Sequence, residues 1–454
     1  MAKKRAIVVG GDAAGMSAAS QMKRVNPDLE VVVFEKGAHI SYGACGMPYY
    51  IAGEIADSDA LLALRPEDFA ARGIEVRTGC EITQIRSGSR SVEVVAAGSV
   101  SAERYDFLVL ATGGTPRRPE LDGVELEGVF TLRTLQDGID LRSCLDRERP
   151  GRAAIIGTGF IGMEMVEAFL KRGVQVVLFG RSDHILTSFD PIFAAPLLDD
   201  LRRRKVEFVT GCQVRGLVGE GDQVRSVVTE RGAWHVDLVL LAAGLLPGSG
   251  LARSAGIACG SSGGIVVDDR MKTNIPGIYA AGDCIETHHV VSGKQVFSPL
   301  ALTANRTGRI GGDNIGAQSL GQISPQRFKG TAGTMVAKVC DFTLAQTGLT
   351  EPEAVEAGFV PAVFARQSHS RAGYYPGGSA ISTRIVVDRR TRRLLGAQML
   401  GQEGVAGRID VFATALFNRM TVEEIYNLDL AYAPPYGPVY DPIIEICGRA
   451  NLEL

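Results

Sequence analysis

The sequence predicts an α/β protein with two similar strand–turn–helix units, followed by a C-terminal α+β region. Near the N-terminus, an apolar run, a glycine turn and a small-residue helix start follow one another in RAIVVGGDAAGMSAAS (5–20). The same order returns in RAAIIGTGFIGMEMVEAFLKRG (152–173), and after about residue 325 the pattern changes to short strands followed by two helical runs. At 454 residues the chain exceeds what one hydrophobic core usually supports, so we expect two or three domains.

The first unit has the pattern of a Rossmann-like dinucleotide-binding fold. Gly10 permits the tight turn after the first strand, and Gly15 lets the helix pack closely. The helix N-terminus attracts a pyrophosphate, and Glu35, at the end of the second strand, can accept hydrogen bonds from ribose hydroxyls. Because Asp12 stands at the middle glycine of the usual pattern, the prediction depends more on the strand order and on Glu35.

The second unit has a complete GxGxxG at Gly157, Gly159 and Gly162, between a strand and a helix. Two such units predict two bound dinucleotides. The strand after this helix ends in Gly180 and Arg181 rather than in an acid. Arginine there suits a ribose 2′-phosphate, which favours NADPH or use of both nicotinamide cofactors; a solvated arginine is the alternative.

Three further apolar runs end in glycine: FLVLATGGTPRRP (107–119), LVLLAAGLLPGSG (238–250) and TNIPGIYAAGDCIE (273–286). Such runs are typical of buried strands whose backbone approaches a ligand or leaves one domain for another. We therefore expect them to lie at the crossings between the two units.

The composition excludes several function classes. A formal net charge of −3 gives no global reason to bind nucleic acid or an anionic membrane, and RRRK (202–205) is interpreted as a solvated helix face. No apolar stretch approaches the roughly 20 residues of a membrane span, and AIVVGG after MAKKR is too short for the core of a signal peptide, so we expect a cytoplasmic protein. The eight cysteines are scattered, without a CxxC pair or a cysteine–histidine cluster, so we expect neither structural disulfides nor a metal site.

One cysteine stands apart: Cys45 in SYGACGMPYY (41–50) has the small neighbours Gly43, Ala44 and Gly46, which would let a bulky disulfide reach it. A single cysteine is more often an inert core residue. A lone thiol can still take part in two-electron chemistry if its oxidised form is a mixed disulfide with a small thiol, or a sulfenic acid.

Together these segments resemble the two-dinucleotide flavoprotein disulfide reductases, the class of glutathione reductase, over essentially the whole chain. The resemblance implies FAD in the first Rossmann-like unit, NAD(P)H in the second and a homodimer formed by a C-terminal α+β dimerisation domain. It implies an FAD-binding domain at 1–113 and 245–325, an NAD(P)H-binding domain at 114–244 and a dimerisation domain at 326–454. The implied cofactor-binding residues are Gly10, Ala14, Gly15, Glu35, Lys36, Ala111, Thr112, Gly113, Gly282, Asp283, Leu300 and Ala301 for FAD, and Gly157, Gly159, Phe160, Ile161, Gly162, Arg181 and Gly244 for NAD(P)H.

The single cysteine narrows this resemblance. Most members carry a CxxxxC pair, but here Tyr50 stands five residues after Cys45. The one-cysteine subgroup is similar to coenzyme A disulfide reductases, NAD(P)H-dependent persulfide or polysulfide reductases, and NADH oxidases or peroxidases. Oxidases and peroxidases usually place a histidine in the first glycine turn, where this chain has Ala13. Coenzyme A disulfide reductases carry partner-subunit tyrosines in YYPG and AYAPP stretches, which correspond to Tyr374 and Tyr432.

The resemblance also implies coenzyme A contacts from Ser17, Gln21, Arg24 and Ser41. Arg371 is a further candidate by its charge alone. Two positions depart from the subgroup: Ala44 replaces a frequent asparagine, and Tyr440 lies near the place of an expected basic residue. These departures concern coenzyme A specificity more than disulfide chemistry.

We therefore predict a homodimeric FAD-dependent NAD(P)H disulfide reductase without nucleic-acid or membrane partners. Cys45 would attack coenzyme A disulfide or a coenzyme A persulfide or polysulfide, coenzyme A would be held on it as a mixed disulfide, and Tyr374 and Tyr432 would assist the leaving thiolate. The alternatives are an NADH oxidase or peroxidase working through a Cys45 sulfenic acid, and a flavin-binding thiol redox sensor. The sequence leaves open the physiological substrate, the nicotinamide preference and the reactivity of Cys284.

Overall fold

A five-stranded parallel sheet forms the core of the first unit in the computed structural model, which describes residues 3–454. The strand that leads into the first glycine turn lies in the middle, and its apolar residues are buried, as expected for a strand covered on both faces. In spatial order the strands are Ile278–Ala280, Phe107–Leu110, Arg5–Val9, Glu30–Phe34 and Ile74–Arg77.

The second unit repeats this arrangement. Its strand before the glycine turn again lies in the middle of five parallel strands, next to the strand that ends at residue 179. In spatial order these are Glu207–Val209, Gln175–Phe179, Arg152–Ile156, Leu238–Leu241 and Val129–Phe130. Two Rossmann-like units, predicted from the repeated pattern, are therefore present.

The chain crosses between the two units through one antiparallel pair, Gly114–Pro116 with Leu245–Pro247. Both strands come from glycine-ended runs that were expected to lie at such crossings. The domain boundaries themselves stay a prediction. The remaining small sheets contain Cys80–Arg86, Ser91–Ala96 and Ser99–Arg104; Val214–Glu220, Gln223–Thr229 and Gly232–His235; and Thr287–His288 with Gln295–Val296.

The C-terminal region is α+β, as predicted. Its antiparallel sheet has the spatial order Met335–Val339, Phe342–Gly348, Leu394–Gly401, Ala380–Asp388 and Pro361–His369. The middle strand is buried at every position, and the last helices of the chain pack against this sheet. The α-helices of the described chain are Ala13–Val25, Met47–Ala52, Pro66–Ala70, Leu135–Glu148, Phe160–Lys171, Pro191–Arg203, Gly250–Ser254, Ala301–Ser319, Glu351–Glu356, Val405–Phe417, Val422–Tyr426 and Pro442–Glu453, with 3₁₀ turns at Ala44–Gly46 and Ser58–Leu61.

Two helices packed at very close range bring the parts of the site together. A Cβ atom at Gly308 would lie 2.2 Å from the carbonyl oxygen of Ala14, and one at Gly312 would lie 2.3 Å from that of Ala18. Because the pairing advances in the same direction along both chains, the helices Ala13–Val25 and Ala301–Ser319 are parallel. Their N-termini, where helix dipoles concentrate positive charge, therefore point the same way. Because Gly308 lies level with Ala14, the helix Ala301–Ser319 starts about six residues further out than its neighbour.

Within residues 3–454, no helix combines the length and the hydropathy needed to span a bilayer.

Candidate active site

The first glycine turn has no room for a side chain at Gly10 or at Gly15. Gly10 has φ of +105°, and a Cβ atom there would lie 2.2 Å from the carbonyl oxygen of Ala111. A Cβ atom at Gly15 would lie 1.9 Å from the carbonyl oxygen of Gly10. The helix begins at Ala13 without a side-chain cap, so its first backbone N–H groups can bind an anion.

The acid at the end of the second strand is held in place by the backbone. Glu35 Oε2 accepts a hydrogen bond from the Gly11 N–H at 2.8 Å, and Oε1 accepts one from the Gly37 N–H at 2.7 Å. Carboxylate oxygens have further lone pairs, so ribose hydroxyls can still donate to them. Lys36 lies exposed beside this acid.

The opposite wall consists of the ATG and GD segments. Thr112 Oγ1 donates to the carbonyl oxygen of Gly248 at 2.6 Å, and the Gly248 N–H donates to that of Gly113 at 2.8 Å. A Cβ atom at Gly282 would lie 2.7 Å from the Cβ of Ala14. The implied FAD residues of these two segments, Ala111–Gly113 and Gly282–Asp283, are therefore brought against the first glycine turn.

Arg133 joins these walls, and the sequence analysis missed it. Its Nη2 donates to Asp283 Oδ2 at 3.0 Å, and its Nε donates to the carbonyl oxygen of Gly114 at 3.2 Å. The positive charge of the guanidinium also opposes the rise that desolvation causes in the pKa values of Asp12 and Cys45. No motif marks TLRT (131–134), and only the tertiary fold brings this arginine to the site.

The implied FAD residues Leu300 and Ala301 lie at the start of the helix Ala301–Ser319. Leu300 is its N-cap residue and makes no side-chain capping bond, and Ala301, the first residue of the helix, is exposed. The N-terminus of this helix points the same way as that of the helix starting at Ala13, and a positive helix end suits an anionic or electron-rich group.

The second glycine turn repeats the geometry of the first. A Cβ atom at Gly157 would lie 2.1 Å from the carbonyl oxygen of Ala242, and one at Gly162 would lie 2.2 Å from that of Gly157. Gly159, by contrast, has no atom within 4 Å of a Cβ position, which leaves its backbone open to a ligand. Gly244 has φ of +103° and the same open surroundings.

The entrance to the second turn is partly apolar. Phe160 packs edge-on against Phe189, with ring centroids 5.8 Å apart, and Ile161 is exposed at the helix start. Arg181 follows the strand end in an exposed position, and Gly180 before it is buried, with Thr158 2.7 Å from where its Cβ would lie. An arginine is therefore accessible where a ribose 2′-position is expected.

The predicted redox cysteine is accessible and lies in a short 3₁₀ turn just before a helix. The protein around the thiol still raises the pKa of Cys45, first by desolvation and then through the charges of Glu164, Asp283 and Asp12. Arg133 opposes these effects. In the described chain the thiol is thus reachable and biased toward its protonated form.

The small residues around the thiol have different roles. Gly43 is exposed, and the only atom near its Cβ position is 3.7 Å away, so it does leave space. A Cβ atom at Gly46 would instead lie 2.4 Å from Leu61 Cδ2. The expectation that Gly46 provides access was therefore wrong, because it serves local packing.

Tyr50, at the place of the missing second cysteine, is a packing residue. Its ring is buried, and the guanidinium of Arg142 lies 4.3 Å from its centroid. Arg142 Nη1 also donates to the carbonyl oxygens of Tyr50 and Ile55, each at 2.9 Å. The dithiol mechanism is therefore absent from this loop.

Glu164 is a second residue that the sequence analysis missed. It lies one turn into the helix that follows the second glycine turn. Desolvation, and then the charge of Glu167, raises its pKa to about 7, and its own charge raises the pKa of Cys45. A carboxyl group that titrates near neutrality thus faces the thiol from the second unit, a placement that the GxGxxG spacing alone did not indicate.

The predicted coenzyme A residues fall into two groups. Ser17, Gln21 and Arg24 follow one another on one face of the first helix. Ser17 Oγ donates to Asn305 Oδ1 at 2.8 Å, Gln21 Nε2 donates to an aspartate at 2.9 Å, and Arg24 remains exposed. Ser41 has φ of +49°, and its N–H donates to the carbonyl oxygen of Gly11, which ties the cysteine loop to the first turn.

Arg371 holds its own loop. Its Nε and Nη2 donate to the two carboxylate oxygens of Glu403 at 2.8 and 2.7 Å, and Nη1 donates to the carbonyl oxygen of Pro376 at 3.0 Å. The guanidinium therefore stabilises the loop that carries Tyr374. Phosphate binding by Arg371 stays a prediction.

The two predicted tyrosines form one hydrogen-bonded pair. Their hydroxyl oxygens lie 3.0 Å apart, and Tyr374 and Tyr432 remain 76% and 45% exposed. The hydrogen bond is the leading cause that raises the pKa of Tyr432, and either hydroxyl can be its donor. Buried Arg408 donates to the carbonyl oxygens of Ser370 and Tyr436, which steadies both tyrosine segments.

Cys284, whose reactivity was left open, is fully buried. Its Sγ lies 3.3 and 3.4 Å from the carbonyl oxygens of Ala281 and Leu110, and burial is the leading cause that raises its pKa. These properties are those of a packing residue.

Residues 4–308 match the family described as pyridine nucleotide-disulphide oxidoreductase, and residues 334–441 match the dimerisation domain of the same family. The chain belongs to this family. It is an FAD-dependent oxidoreductase that uses NAD(P)H, and its C-terminal region is a dimerisation domain.

Two curated relatives align over nearly their whole length. A CoA-dependent NAD(P)H sulfur oxidoreductase of Pyrococcus furiosus is 37% identical over 98% of this chain and 99% of its own. A coenzyme A disulfide reductase of Staphylococcus aureus is 31% identical, again over 98% of this chain and 99% of its own.

Solved structures agree in fold. An NAD-dependent persulfide reductase from A. fulgidus superposes with a TM-score of 0.95 and 37% identity, over 99% of this chain and 83% of its own. An engineered water-forming NADPH oxidase bound to NADPH, a mutant of a Lactobacillus brevis NADH oxidase, superposes with a TM-score of 0.93 and 25% identity, over 99% of this chain and 98% of its own. The oxidase predicted as an alternative is therefore represented among similar proteins.

Proposed function

We propose that this protein reduces coenzyme A disulfide, or a coenzyme A persulfide or polysulfide, with electrons from NAD(P)H. The observation that carries the proposal is the exposed thiol of Cys45, which is under the influence of Asp12 in the first glycine turn, of Asp283 and Arg133, and of Glu164 in the second unit. The names of the sulfur oxidoreductase and the coenzyme A disulfide reductase support this substrate class.

Residues of the first unit would hold FAD. The N-termini of the helices that begin at Ala13 and Ala301 would bind its anionic groups, and Glu35 its ribose. Asp283 and Arg133 would lie along the remainder of the cofactor. FAD, when bound, supplies two-electron transfer from the nicotinamide to sulfur.

The chemistry at Cys45 requires only one protein sulfur. Its thiolate attacks one sulfur of the disulfide, an S–S bond forms between Cys45 and coenzyme A, and the other coenzyme A leaves as a thiolate. Two electrons and one proton, delivered through NAD(P)H, then break the mixed disulfide and release the second thiol. Ser17, Gln21, Arg24 and Ser41 are the proposed contacts to coenzyme A.

The tyrosine pair would supply the proton for the leaving thiolate. Either phenol can donate to the other. We assign proton delivery to Tyr374, the more exposed of the two, whose hydroxyl hydrogen is free to point at the departing sulfur when Tyr432 is the donor. Exposure of both rings on the dimerisation domain supports their insertion into the site of a partner subunit in a homodimer.

Arg181 supports use of NADPH. The engineered NADPH oxidase carries an Asp–Ala–Met run changed to Ala–Arg–Ser, among other substitutions. Here Gly180, Arg181 and Ser182 give a small residue, an arginine and a serine after the strand Gln175–Phe179. Arg181→Ala should raise KM for NADPH several-fold and leave KM for NADH unchanged; equal effects on both would contradict this assignment.

The cytoplasm is the compartment we propose, since all eight cysteines are free thiols.

An experiment on the intact protein tests the sulfur chemistry directly. Mass spectrometry of the freshly purified protein should find coenzyme A on the Cys45 peptide, released by a reductant. Cys45→Ser should abolish disulfide-dependent NADPH oxidation, while Cys259→Ser, a change at another accessible thiol, should leave it intact. A sulfenic acid without an adduct, with oxygen uptake matching NADH loss, would instead support the oxidase.

Mixing inactive subunits tests the dimer. Cys45→Ser chains mixed with chains that carry both Tyr374→Phe and Tyr432→Phe should recover about a quarter of wild-type activity, because half of the random dimers contain one intact site. No recovery in mixed dimers would place the tyrosines and the thiol in the same subunit or remove the tyrosines from the mechanism.

A further inference from the structure

Loop 181–190 connects the strand Gln175–Phe179 of the second unit to the helix that follows it. It begins with the exposed Arg181, whose place after the strand supports use of NADPH. A cavity of about 270 Å³ separates part of this loop from the dimerisation domain, and its lining on the loop side includes Ser182, His184 and Thr187. Packing against the dimerisation domain is therefore interrupted, and the position of the loop depends on individual contacts.

The loop contacts the second glycine turn at two points. The Leu186 N–H donates to the carbonyl oxygen of Thr158, which lies in the turn itself, at 2.9 Å. The Phe189 N–H donates to the carbonyl oxygen of Leu186 at 2.7 Å, and the Phe189 ring packs edge-on against Phe160, the first residue of the helix after the turn. A displacement of Leu186 or Phe189 would therefore disturb the turn.

Gln398 of the dimerisation domain holds the end of this loop. It lies in the middle strand of the C-terminal sheet, Leu394–Gly401, and is 7% exposed. Its Oε1 accepts a hydrogen bond from the Asp190 N–H at 3.0 Å, and its Nε2 donates to the carbonyl oxygen of Ser188 at 2.9 Å. The side-chain amide thus bonds the loop backbone on both sides of Phe189, as a neighbouring strand would, and fixes the backbone that carries this ring.

Arg384 adds a charged contact at the same place. It lies directly opposite Gln398 in the neighbouring strand. Its Nη1 pairs with Asp190 Oδ2 at 2.9 Å, and its Nη2 donates to Glu351 Oε2 at 3.1 Å. The side chains of Arg384 and Asp190 are only 16% and 17% exposed, so solvent screens this ion pair less than it screens a surface pair. Two side chains of the dimerisation domain therefore hold a loop of the second unit.

A neighbouring glutamine lacks these contacts. Gln346 lies opposite Gln398 in the strand Phe342–Gly348, so both side chains point to the same face of the sheet. The Oε1 of Gln346 is buried and has no hydrogen-bond partner within residues 3–454. Gln346 is therefore a matched control of the same residue type, on the same face and one strand away.

We propose that Gln398 and Arg384 are positioning residues for the nicotinamide cofactor. From the dimerisation domain they hold loop 181–190 in the conformation in which Arg181 and the second glycine turn bind NAD(P)H. They act through the loop backbone and Asp190. This inference rests on the proposed binding of the nicotinamide cofactor at the second glycine turn, and it makes cofactor affinity depend on a domain that the sequence assigned to dimerisation.

Steady-state kinetics of the full-length holoenzyme test this role. With ferricyanide as electron acceptor, NADPH oxidation does not require the disulfide substrate. Gln398→Leu removes both hydrogen bonds to the loop and should raise KM for NADPH by about tenfold, the factor expected when one or two hydrogen bonds no longer order the site. It should leave kcat within about twofold, because the flavin site is unchanged.

The matched control makes this result specific. Gln346→Leu should leave both KM and kcat unchanged. The dissociation constant of NADP⁺ for the oxidised holoenzyme, measured by calorimetric titration, should rise in Gln398→Leu by the same factor as KM. An unchanged KM in Gln398→Leu, a loss confined to kcat, or an equal rise of KM in Gln346→Leu would overturn the proposal.

Hydrogen exchange tests whether the loop causes the effect. The Asp190 N–H is bonded to the Gln398 side chain, so Gln398→Leu should speed deuterium uptake in peptides from loop 181–190. The buried strand Arg152–Ile156 should keep its protection, and saturating NADP⁺ should restore protection to the loop of the variant. A raised KM without faster exchange in the loop, or faster exchange throughout the second unit, would refute a positioning role.

Arg384→Met should raise KM for NADPH in the same direction. Because Arg384 and Gln398 act on the same segment, the double variant should show less than the product of the two single effects. Full multiplication of the effects would mean that the two residues do not act through one loop, and would contradict the proposal.

One further variant separates this inference from the assignment on which it rests. A Cβ atom at Gly159 meets no protein atom within 4 Å, so Gly159→Val should obstruct a bound cofactor and raise KM for both NADPH and NADH. A raised KM in Gly159→Val with an unchanged KM in Gln398→Leu would remove only the positioning role. An unchanged KM in Gly159→Val would remove the assignment of the second glycine turn to the cofactor.

Discussion

The hydrogen-bonded phenols give the sharpest prediction, because we assign them different roles. Their hydroxyl oxygens lie 3.0 Å apart and Tyr374 is the more exposed of the two, so Tyr374 should deliver the proton and Tyr432 should orient it. General acid catalysis contributes about 10²–10⁴-fold, so Tyr374→Phe should lower kcat by at least about a hundredfold. Tyr432→Phe removes one hydrogen bond, about 1 kcal/mol, and should cost about fivefold.

A double-mutant cycle makes this reasoning refutable. Since Tyr432 acts only through Tyr374, the double variant should be no slower than Tyr374→Phe alone. The assay is NADPH oxidation with coenzyme A disulfide, accompanied by thermal unfolding, which should be unchanged because both hydroxyls are exposed. Losses that multiply, or a larger loss for Tyr432→Phe, would refute the assigned roles.

Three further changes should have graded effects. Gly162→Ala places a Cβ 2.2 Å from a backbone oxygen and should lower the unfolding free energy by about 1–3 kcal/mol in urea titrations, whereas Gly159→Ala, in open space, should not. Arg408→Met breaks a buried ion pair and should cost about 3–5 kcal/mol, against less than about 0.5 for the exposed control Arg449→Met. Glu164 has a pKa of about 7 in the folded protein against an ordinary 4.5, so between these pH values the native state keeps a proton that the unfolded state has lost. The free energy of unfolding should therefore fall as pH rises from about 4.5 to about 7, and Glu164→Gln should flatten that part of the profile of stability against pH.

The two nucleotide-binding units could be predicted from sequence because their signals are local. The requirement at the last glycine of each turn involves neighbours within one strand–turn–helix unit: a Cβ at Gly15 would meet the carbonyl of Gly10, and one at Gly162 that of Gly157. The alternation of strands and helices then fixes a parallel sheet. The C-terminal α+β region could be predicted for the same reason, from short strands followed by helical runs.

The remainder of the site depends on tertiary contacts that no local pattern records. Arg133 meets Asp283 across 150 positions of sequence, and Glu164 acts on Cys45 from a helix of the second unit. Gly46 was predicted to give access, yet its backbone packs against Leu61. Small residues look alike in sequence, whether they leave space for a ligand or for a neighbouring side chain.

The electrostatics of the thiol connect these unpredicted residues. Glu164, Asp283 and Asp12 all oppose a Cys45 thiolate, and only Arg133 is a cation among the charges that act most strongly on it. Two of the three acids have pKa values of about 6 and about 7, so protons can neutralise them near neutral pH, while Asp283 is paired with Arg133. Protons bound at Asp12 and Glu164 would therefore remove two of the charges that disfavour the nucleophile.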